Sequence, residues 1–300
     1  MSTQSPKVVL VTGAGSGIGL ASALAMSRAG HIVYASMRDV AGKNRDRSEF
    51  LNSIQEKEHI QLHPLELNVL SESSCRAAVD HILHEQQRLD VVLNNAGMLM
   101  SGITEGFTPE QVAEIFNTNA LSWLRVNRAV LPVMRRQGNG LLIYTGSTTT
   151  RISEPFIGPY IASKAAGEML AEAMAMENRP AGIESVMIVP GAFTEGTEHF
   201  SHSRGPEDIA VLNQYGPLIT RMSRLGKSLE SINRANGNES MTVDDVGKAI
   251  VRLLDIPHGS RPARIVVDPQ NKETEELDEL HAKKQSRFLN QMGLGDLLPE

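Results

Sequence analysis

Val8-Val9-Leu10-Val11-Thr12-Gly13-Ala14-Gly15-Ser16-Gly17-Ile18-Gly19 joins a short apolar run to a glycine-rich turn near the start of the chain. The apolar, β-branched run is typical of a buried parallel strand. After Gly19, apolar residues recur at helical spacing as far as Arg28-Ala29-Gly30, which is a basic last turn followed by a glycine stop. A strand, a glycine turn and a helix are the first half of a βαβ unit.

The glycine turn, residues 13–19, indicates a phosphate site. Glycine lets a phosphate approach the backbone, and the helix N-terminus offers unpaired N–H groups and a partial positive charge. The spacing departs from the dinucleotide fingerprint Gly-x-Gly-x-x-Gly because position 18 is isoleucine, and it reads Thr-Gly-x-x-x-Gly-x-Gly instead. The alternative is that the glycines serve only a tight turn, but a strand and a helix flank them correctly.

The rest of the chain alternates strand and helix patterns. We predict strands over 7–12, 31–37, 60–67, 89–94, 140–146, 183–189 and 264–267 and helices over 17–29, 46–57, 72–87, 109–136, 158–178 and 242–254. This alternation predicts an α/β fold, a single doubly wound (Rossmann) domain with a seven-stranded parallel sheet and helices on both faces. We place that domain at residues 1–270, including an insert at 191–241, and a C-terminal helical tail at 271–300.

Tyr160 and Lys164 are four residues apart in a predicted helix, so they share one face. A tyrosine with an ordinary pKa near 10 is only about 0.1 % ionised at pH 7. A positive charge about 4–5 Å away contributes roughly 3–4 kcal/mol at an effective dielectric of about 20. We therefore expect Lys164 to lower the pKa of Tyr160, with burial opposing it, so that the phenol can act as general acid or base. The pair alone is a weak motif.

Other motifs stand in order around this pair. Asn94-Asn95-Ala96-Gly97 follows a predicted strand, Asn119 ends Asn117-Thr118-Asn119, and Pro190-Gly191 follows another predicted strand. Ser147 lies thirteen positions before Tyr160. Together with the glycine turn, these motifs resemble those of the short-chain dehydrogenase/reductase family over residues 7–268.

The resemblance implies a role for each matching residue. Tyr160 is the general acid or base, Ser147 holds the reacting oxygen, Lys164 binds the nicotinamide ribose, and Asn119 holds a water in a proton relay. The residues that it implies for cofactor binding are Gly13, Ser16, Gly17, Ile18, Gly19, Asn95, Ala96, Gly97, Tyr160, Lys164, Pro190, Gly191 and Phe193.

The end of the second predicted strand bears on the choice of cofactor. Met37 stands where NAD-preferring relatives carry an acid, and Arg38 follows it. Because an arginine binds a 2′-phosphate by donating charge-assisted hydrogen bonds to it, we predict NADP(H), with Arg38 and Ser36 as phosphate partners. Asp39 argues the other way, and Arg38 as a merely solvated charge is the alternative. Asn68 stands where relatives commonly have an aspartate and is predicted to accept a hydrogen bond from the adenine.

These residues predict an NADP(H)-dependent carbonyl reductase, or an alcohol dehydrogenase in reverse, acting on a small and fairly apolar substrate. The alternative is a non-catalytic NADP(H)-binding regulatory or scaffold protein of the same fold. The complete set of catalytic residues argues against that alternative, while an epimerase or dehydratase variant stays open. The resemblance also implies that the insert covers the substrate, as lids do, and that the chain forms a homodimer or homotetramer.

Composition limits the partners and the location. The net charge is −6 and the basic residues are dispersed, so nucleic acid is not an expected partner. No stretch is long and apolar enough to predict a signal peptide or a membrane span. The single Cys75 excludes an intrachain disulfide, so we predict a cytoplasmic location. His199 and His202 lack further ligands nearby, so no metal site is predicted.

Overall fold

The computed structural model describes residues 5–298. Residues 1–4 of the predicted domain and residues 299–300 of the predicted C-terminal tail lie outside the described residues. The strands are β1 Val8–Thr12, β2 Ile32–Met37, β3 Leu62–Glu66, β4 Val91–Asn94, β5 Gly140–Thr145, β6 Ile183–Pro190 and β7 Arg264–Val267. They pair in parallel in the order β3-β2-β1-β4-β5-β6-β7. The predicted seven-stranded parallel sheet is confirmed.

The helices are α1 Gly17–Arg28, α2 Arg45–Glu58, α3 Glu72–Gln86, α4 Pro109–Asn119, α5 Leu121–Gln137, α6 Gly158–Asn178, α7 Ile209–Leu212, α8 Pro217–Met222, α9 Leu225–Ala235, α10 Val243–Asp255 and α11 Glu275–Gln291. The single helix predicted over 109–136 is wrong, because the chain breaks at Ala120 into α4 and α5. The Asn119 side chain bonds to the backbone of Met98, which fixes the end of α4 against the loop after β4.

Helices cover both faces of the sheet, as predicted. On β1, Val9 and Val11 point to the face that α1, α2 and α10 cover, and their side chains are fully buried there. Val8 and Leu10 point to the other face, where they join a core built with α3, α5 and α6. Alternate residues of a strand face opposite sides, so a strand buried on both faces is apolar throughout.

The strand order reverses between β1 and β4. The chain leaves β1 toward β2 and β3 on one side and returns to β4 on the other. In such a sheet the connections at the carboxyl ends diverge and leave a crevice, which is where ligands bind. The glycine turn follows β1 and Asn95-Ala96-Gly97 follows β4, so both motifs border this crevice.

The insert contains α7, α8 and α9, none of which the sequence pattern predicted. It is fastened to the loop after β4 and to α4. Gln111 Nε2 donates to Gly205 O at 3.0 Å, the Ser101 and Ser203 hydroxyls are 2.7 Å apart, and Arg204 forms an ion pair with Glu114. These contacts place the insert over the crevice side of the sheet.

Helix α11 packs against the loop that follows β5. Arg151 Nε lies 2.7 Å from Asp278 Oδ1, which joins α11 to the loop after β5. Leu280, Phe288 and Met292 of the same C-terminal region are exposed. Within residues 5–298, α11 and the other helices are all too short or too polar to cross a membrane.

Candidate active site

The glycine turn is packed against the turn that follows β4. Gly13 has φ +65°, and an added Cβ there would lie 2.8 Å from Ala96 Cα. An added Cβ at Gly19 would overlap with Gly13 O and Asn95 Nδ2 and would lie 3.0 Å from the Gly13 carbonyl carbon. Glycine is therefore required at these two positions because backbone segments meet there.

Asn95 and Thr12 join the carboxyl ends of the central strands. Thr12 Oγ1 accepts hydrogen bonds from the Asn95 and Ala96 N–H groups at 2.9 and 3.0 Å. Asn95 Nδ2 donates to Thr12 O at 3.0 Å and to Gly13 O at 3.2 Å, and Asn95 Oδ1 accepts from Thr145 Oγ1 at 3.3 Å. Thr12 and Thr145 thus hold the Asn95 side chain in place, a contact that the sequence did not predict.

Ser147, Tyr160 and Lys164 meet beyond the end of β5. The Lys164 ammonium donates to Thr145 O at 2.6 Å and lies 5.9 Å from the centroid of the Tyr160 ring. The Ser147 hydroxyl hydrogen-bonds to Tyr160 and also lies 2.8 Å from Thr149 Oγ1. Helix α6 places Tyr160 and Lys164 on one face, and the loop after β5 carries Ser147 to them.

Burial decides the charge states of this group. It raises the pKa of Tyr160 to about 12, although the hydrogen bond from Ser147 acts in the opposite direction. The expected net lowering of this pKa is therefore wrong for the protein groups taken alone, because burial of the phenol outweighs the interactions that favour its ionised form. Burial also lowers the pKa of Lys164 to about 8, with the Glu168 carboxylate opposing it. Near neutral pH the phenol keeps its proton and the ammonium is charged.

The side chain of Asn119 is fully engaged by protein groups. Its Oδ1 accepts from Met98 N–H at 2.8 Å, and its Nδ2 donates to Met98 O at 2.9 Å and to Ser163 Oγ at 2.9 Å. An added Cβ at Gly97 would lie 3.2 Å from Asn119 Oδ1 and 3.8 Å from Lys164 Nζ. Asn119 thus lies beside Lys164, and its role in a water relay stays a prediction.

A buried carboxylate packs against the loop that follows β5. Glu168 is fully buried, and its Oε1 accepts from Thr150 Oγ1 at 3.0 Å. Its Oε2 lies 3.3 Å from Arg151 Nη1 and 3.1 Å from Arg264 Nη1. Sequence reasoning missed this network, although Glu168 follows Lys164 by one helical turn.

Glu168→Gln is expected to destabilise the fold by about 2 kcal/mol, because a buried, hydrogen-bonded charge is lost, although Arg151 and Arg264 keep Asp278 as a partner. The measurement is urea-induced unfolding followed by circular dichroism. Glu177→Gln is the control, since Glu177 is exposed near the end of the same helix. Equal free energies of unfolding for the two variants would show that the network contributes nothing to stability.

Two predicted cofactor residues need correction. Ser36 is fully buried and its hydroxyl donates to Val11 O at 2.8 Å, so it does not face a phosphate and the prediction for it is wrong. The Phe193 side chain is buried in the core with residues of α10, which leaves only its backbone as a candidate contact. Arg38 is exposed just after β2, and Asn68 Oδ1 already accepts from Leu70 N–H at 3.0 Å.

The turn at Pro190-Gly191 is held by the segment after β7. An added Cβ at Gly191 would overlap with Asp268 Oδ1, so a larger residue does not fit. Gln270 accepts from Ala192 N–H at 2.6 Å and donates to Ala192 O at 2.8 Å. These bonds set the direction in which the insert leaves β6.

Residues 196–200 of the insert, here named the covering segment, reach both halves of the site. Thr197 Oγ1 lies 3.0 Å from the position of an added Cβ at Gly17, and Glu198 Oε2 lies 2.5 Å from Arg47 Nη2. The His199 ring packs edge-on against Tyr160 with 5.7 Å between centroids. Burial lowers the pKa of His199 to about 4, so the imidazole is neutral at pH 7. No local sequence pattern links these distant positions.

No metal site was predicted at His199 and His202. His199 contacts Tyr160, and His202 Nδ1 lies 3.8 Å from Glu198 Oε2. Within residues 5–298, no group of three or more His, Cys, Asp and Glu side chains is arranged to hold a metal ion.

The glycine turn fits a dinucleotide cofactor. Its residues lie at the amino end of α1, where unpaired N–H groups attract phosphate, and the turn packs so closely on Ala96 that side chains are excluded. The Ser147, Tyr160 and Lys164 group lies at the ends of β5 and α6, along the same edge of the sheet. A nicotinamide dinucleotide held by the glycine turn would extend along this edge to the Ser147, Tyr160 and Lys164 group.

Comparisons with known proteins agree with this geometry. The profile of the short chain dehydrogenase family matches residues 7–207. A 3-ketodihydrosphingosine reductase of Bacteroides thetaiotaomicron is 35% identical over 209 residues, which cover 70% of this chain and 71% of that protein. A cyclopentanol dehydrogenase of Comamonas testosteroni is 32% identical over 185 residues, which cover 62% of this chain and 72% of that protein.

The fold also matches that of solved proteins. The crystal structure of a short-chain dehydrogenase from Streptomyces avermitilis superposes with a TM-score of 0.74 at 25% identity, covering 96% of this chain and 99% of that one. The family profile spans well over half of the chain, and it includes the glycine turn and the Ser147, Tyr160 and Lys164 group. The chain therefore belongs to the short-chain dehydrogenase family and is an oxidoreductase of that family.

Proposed function

We propose that this protein is an NADP(H)-dependent oxidoreductase that interconverts a carbonyl group and a secondary alcohol on a small, fairly apolar substrate. The observation that carries the proposal is the convergence of Ser147, Tyr160 and Lys164 at the sheet edge that the glycine turn borders. The names of two relatives support the carbonyl and alcohol chemistry, since one is a keto reductase and the other a cyclopentanol dehydrogenase.

The residues of the chain divide the proton chemistry among them. When bound, the nicotinamide supplies or accepts the hydride. Tyr160, whose raised pKa keeps it protonated, gives its proton to the substrate oxygen, while the Ser147 hydroxyl hydrogen-bonds to that oxygen as charge develops on it. The Lys164 ammonium then stabilises the tyrosinate that remains, because an opposite charge nearby favours the ionised form.

The end of β2 supports NADP(H) over NAD(H). Arg38 is exposed there, and within residues 5–298 its guanidinium forms none of the ion pairs found in the structure. Asp39, the residue that argued for NAD(H), accepts from Lys43 N–H at 2.9 Å with its carboxylate and has φ +54°. The Asp39 carboxylate thus stabilises its own turn, and the Arg38 guanidinium is available to bind a 2′-phosphate.

Arg38→Met is expected to lower kcat/KM for NADPH by about 100-fold and leave kcat/KM for NADH nearly unchanged, since charge-assisted hydrogen bonds each contribute about 1.5–3 kcal/mol. Initial rates with both nucleotides and one ketone test this. Lys43→Met, in the same loop, controls for the general effect of positive charge. Equal losses with NADPH and NADH would defeat the assignment.

The rate of carbonyl reduction is expected to fall as pH rises through about 8. The pKa of Lys164 is lowered to about 8, so the ammonium is present below that pH and is lost above it. Once it is neutral, the amine no longer stabilises the tyrosinate that forms when Tyr160 donates its proton. The measurement is kcat/KM for NADPH-dependent reduction from pH 6 to about 9.5. If kcat/KM stays constant across this range, the Lys164 ammonium does not stabilise the tyrosinate during reduction.

Two further properties belong to this proposal. We place an oligomer contact on α5 and α6, where Leu121 and Met169 are 42% and 49% exposed. The expected mass in solution, measured by light scattering, is that of a dimer or tetramer, and a monomer would refute this part. The second property is a cytoplasmic location, which we propose because the chain has a single cysteine.

A panel of ketones, aldehydes and sugars with NADPH tests the proposed function. Loss of cofactor absorbance with apolar ketones or aldehydes is the expected result. If NADPH binds and none of the substrate classes is turned over, the non-catalytic alternative replaces the enzyme. If neither NADPH nor NADH binds, both functions fail.

A further inference from the structure

The covering segment lies on the phosphate side of the site as well as on the catalytic side. Thr197 contacts the glycine turn at Gly17, and Glu198 reaches Arg47 across the turn. Arg47 belongs to α2, and its Nη1 donates to Gly15 O at 2.5 Å. The insert, the glycine turn and α2 are therefore joined through one arginine.

The Glu198 carboxylate is held as a bound anion would be. Arg47 Nη2 lies 2.5 Å from Glu198 Oε2, and the Ser16 hydroxyl hydrogen-bonds to the same carboxylate. Ser16 is the N-cap residue of α1, and its side chain makes no capping bond within the helix. A helix N-terminus, a free hydroxyl and a guanidinium are the groups that proteins use to bind phosphate.

We propose that Ser16 and Arg47 form a subsite for a phosphate of the dinucleotide and that Glu198 occupies this subsite as an internal anion. The inference rests on the proposed function, because it takes the ligand to be the nicotinamide cofactor. A carboxylate and a phosphate repel each other at one guanidinium, so the cofactor displaces Glu198 from Arg47. Arg47 then becomes a cofactor-binding residue that the sequence motifs did not include.

Displacement of Glu198 also moves its neighbour in the chain. His199 follows Glu198 directly and packs on Tyr160 at 5.7 Å between ring centroids. A shift of the covering segment away from Arg47 therefore changes the cover on the proton donor. In this way, occupation of the phosphate subsite is coupled to access to Tyr160.

The position of the subsite favours the 2′-phosphate. An added Cβ at Gly15 would lie 3.3 Å from Arg47 Cδ and 3.4 Å from Met37 Sδ. Met37 is the last residue of β2 and precedes Arg38, so Arg47 lies on the side of the turn where Arg38 emerges. NADPH carries both the diphosphate and the 2′-phosphate, whereas NADH carries only the diphosphate, so the pair of nucleotides distinguishes the two sources.

The test measures Kd for NADPH and NADH by isothermal titration calorimetry on the full chain. Glu198→Gln removes the competing charge and is expected to lower Kd for NADPH about fivefold. Arg47→Met is expected to raise it about tenfold, and in the double variant the gain from Glu198→Gln disappears, because the two residues act on one another. Glu195→Gln and Arg45→Met are the matched controls, since both residues are exposed, Glu195 directly precedes the covering segment and Arg45 lies in α2 with Arg47.

The outcomes separate this inference from the proposed function. A gain for NADPH alone assigns the subsite to the 2′-phosphate, and equal gains for both nucleotides assign it to the diphosphate. If wild type binds NADPH and Glu198→Gln leaves Kd unchanged or raises it, the internal anion is refuted while the function stands. If the wild type binds neither nucleotide, the proposed function fails and this inference fails with it.

Discussion

Tyr160→Phe is expected to lower kcat for carbonyl reduction by about 10³-fold, within the range that general acid catalysis contributes. The phenol hydrogen-bonds to the Ser147 hydroxyl, and its raised pKa of about 12 keeps it protonated at neutral pH. Phenylalanine preserves the ring that packs on Met100, Phe107 and Ile115 and removes only the acidic group. Kd for NADPH is expected to stay within about twofold, since the ring is retained.

Initial rates and calorimetric titration on the same preparation separate these two expectations. Tyr215→Phe is the matched control, because Tyr215 is a tyrosine of the insert whose hydroxyl bonds to Glu105 far from Lys164 in the sequence. The control is expected to keep the wild-type rate. If Tyr160→Phe kept kcat while its fold was intact, another residue would have to donate the proton.

Gly19→Ala is expected to raise Kd for NADPH by about 100-fold, as two charge-assisted hydrogen bonds to phosphate are lost. The new Cβ would overlap with Gly13 O and Asn95 Nδ2, and the first of these is backbone that no side-chain rotation relieves. Either the glycine turn or the start of α1 must shift, and the N–H groups that face the phosphate shift with it. The strain is also expected to cost about 1–3 kcal/mol of stability.

Gly226→Ala is the control for that change. Gly226 also lies in a helix, α9, but an added Cβ there meets nothing within 4 Å. Alanine at this position is expected to stabilise the helix by about 0.5–1 kcal/mol and to leave Kd unchanged. Thermal unfolding and titration with NADPH measure both effects. Equal Kd values for Gly19→Ala and wild type would mean that the turn does not carry the phosphate.

Local patterns in the sequence predicted the parts of the molecule that depend on local physics. Strand β1 is apolar at consecutive positions because both of its faces are buried, and α4 begins after Thr108 because its side chain and that of Gln111 form a capping box. Such features depend on residues within one turn or one strand. The seven strands and their parallel arrangement followed from them.

Long-range packing decided what the sequence did not reveal. Ser36 was expected at a phosphate, but the alternation of side chains along β2 turns it into the sheet, where it bonds to Val11 O. Arg47 and Glu198 are 151 residues apart in the sequence, so no local motif predicts their ion pair. The rise in the Tyr160 pKa has the same origin, since burial of the phenol is a property of the folded core and not of its neighbour Lys164.

The most direct test of the account follows the hydrogen itself. NADPH that carries deuterium at both C4 positions is incubated with an apolar ketone, and the alcohol is examined by mass spectrometry for wild type and Tyr160→Phe. We predict one deuterium on the carbinol carbon with wild type and about 10³-fold less alcohol with Tyr160→Phe. Alcohol without deuterium, or equal yields from the two proteins, would contradict it.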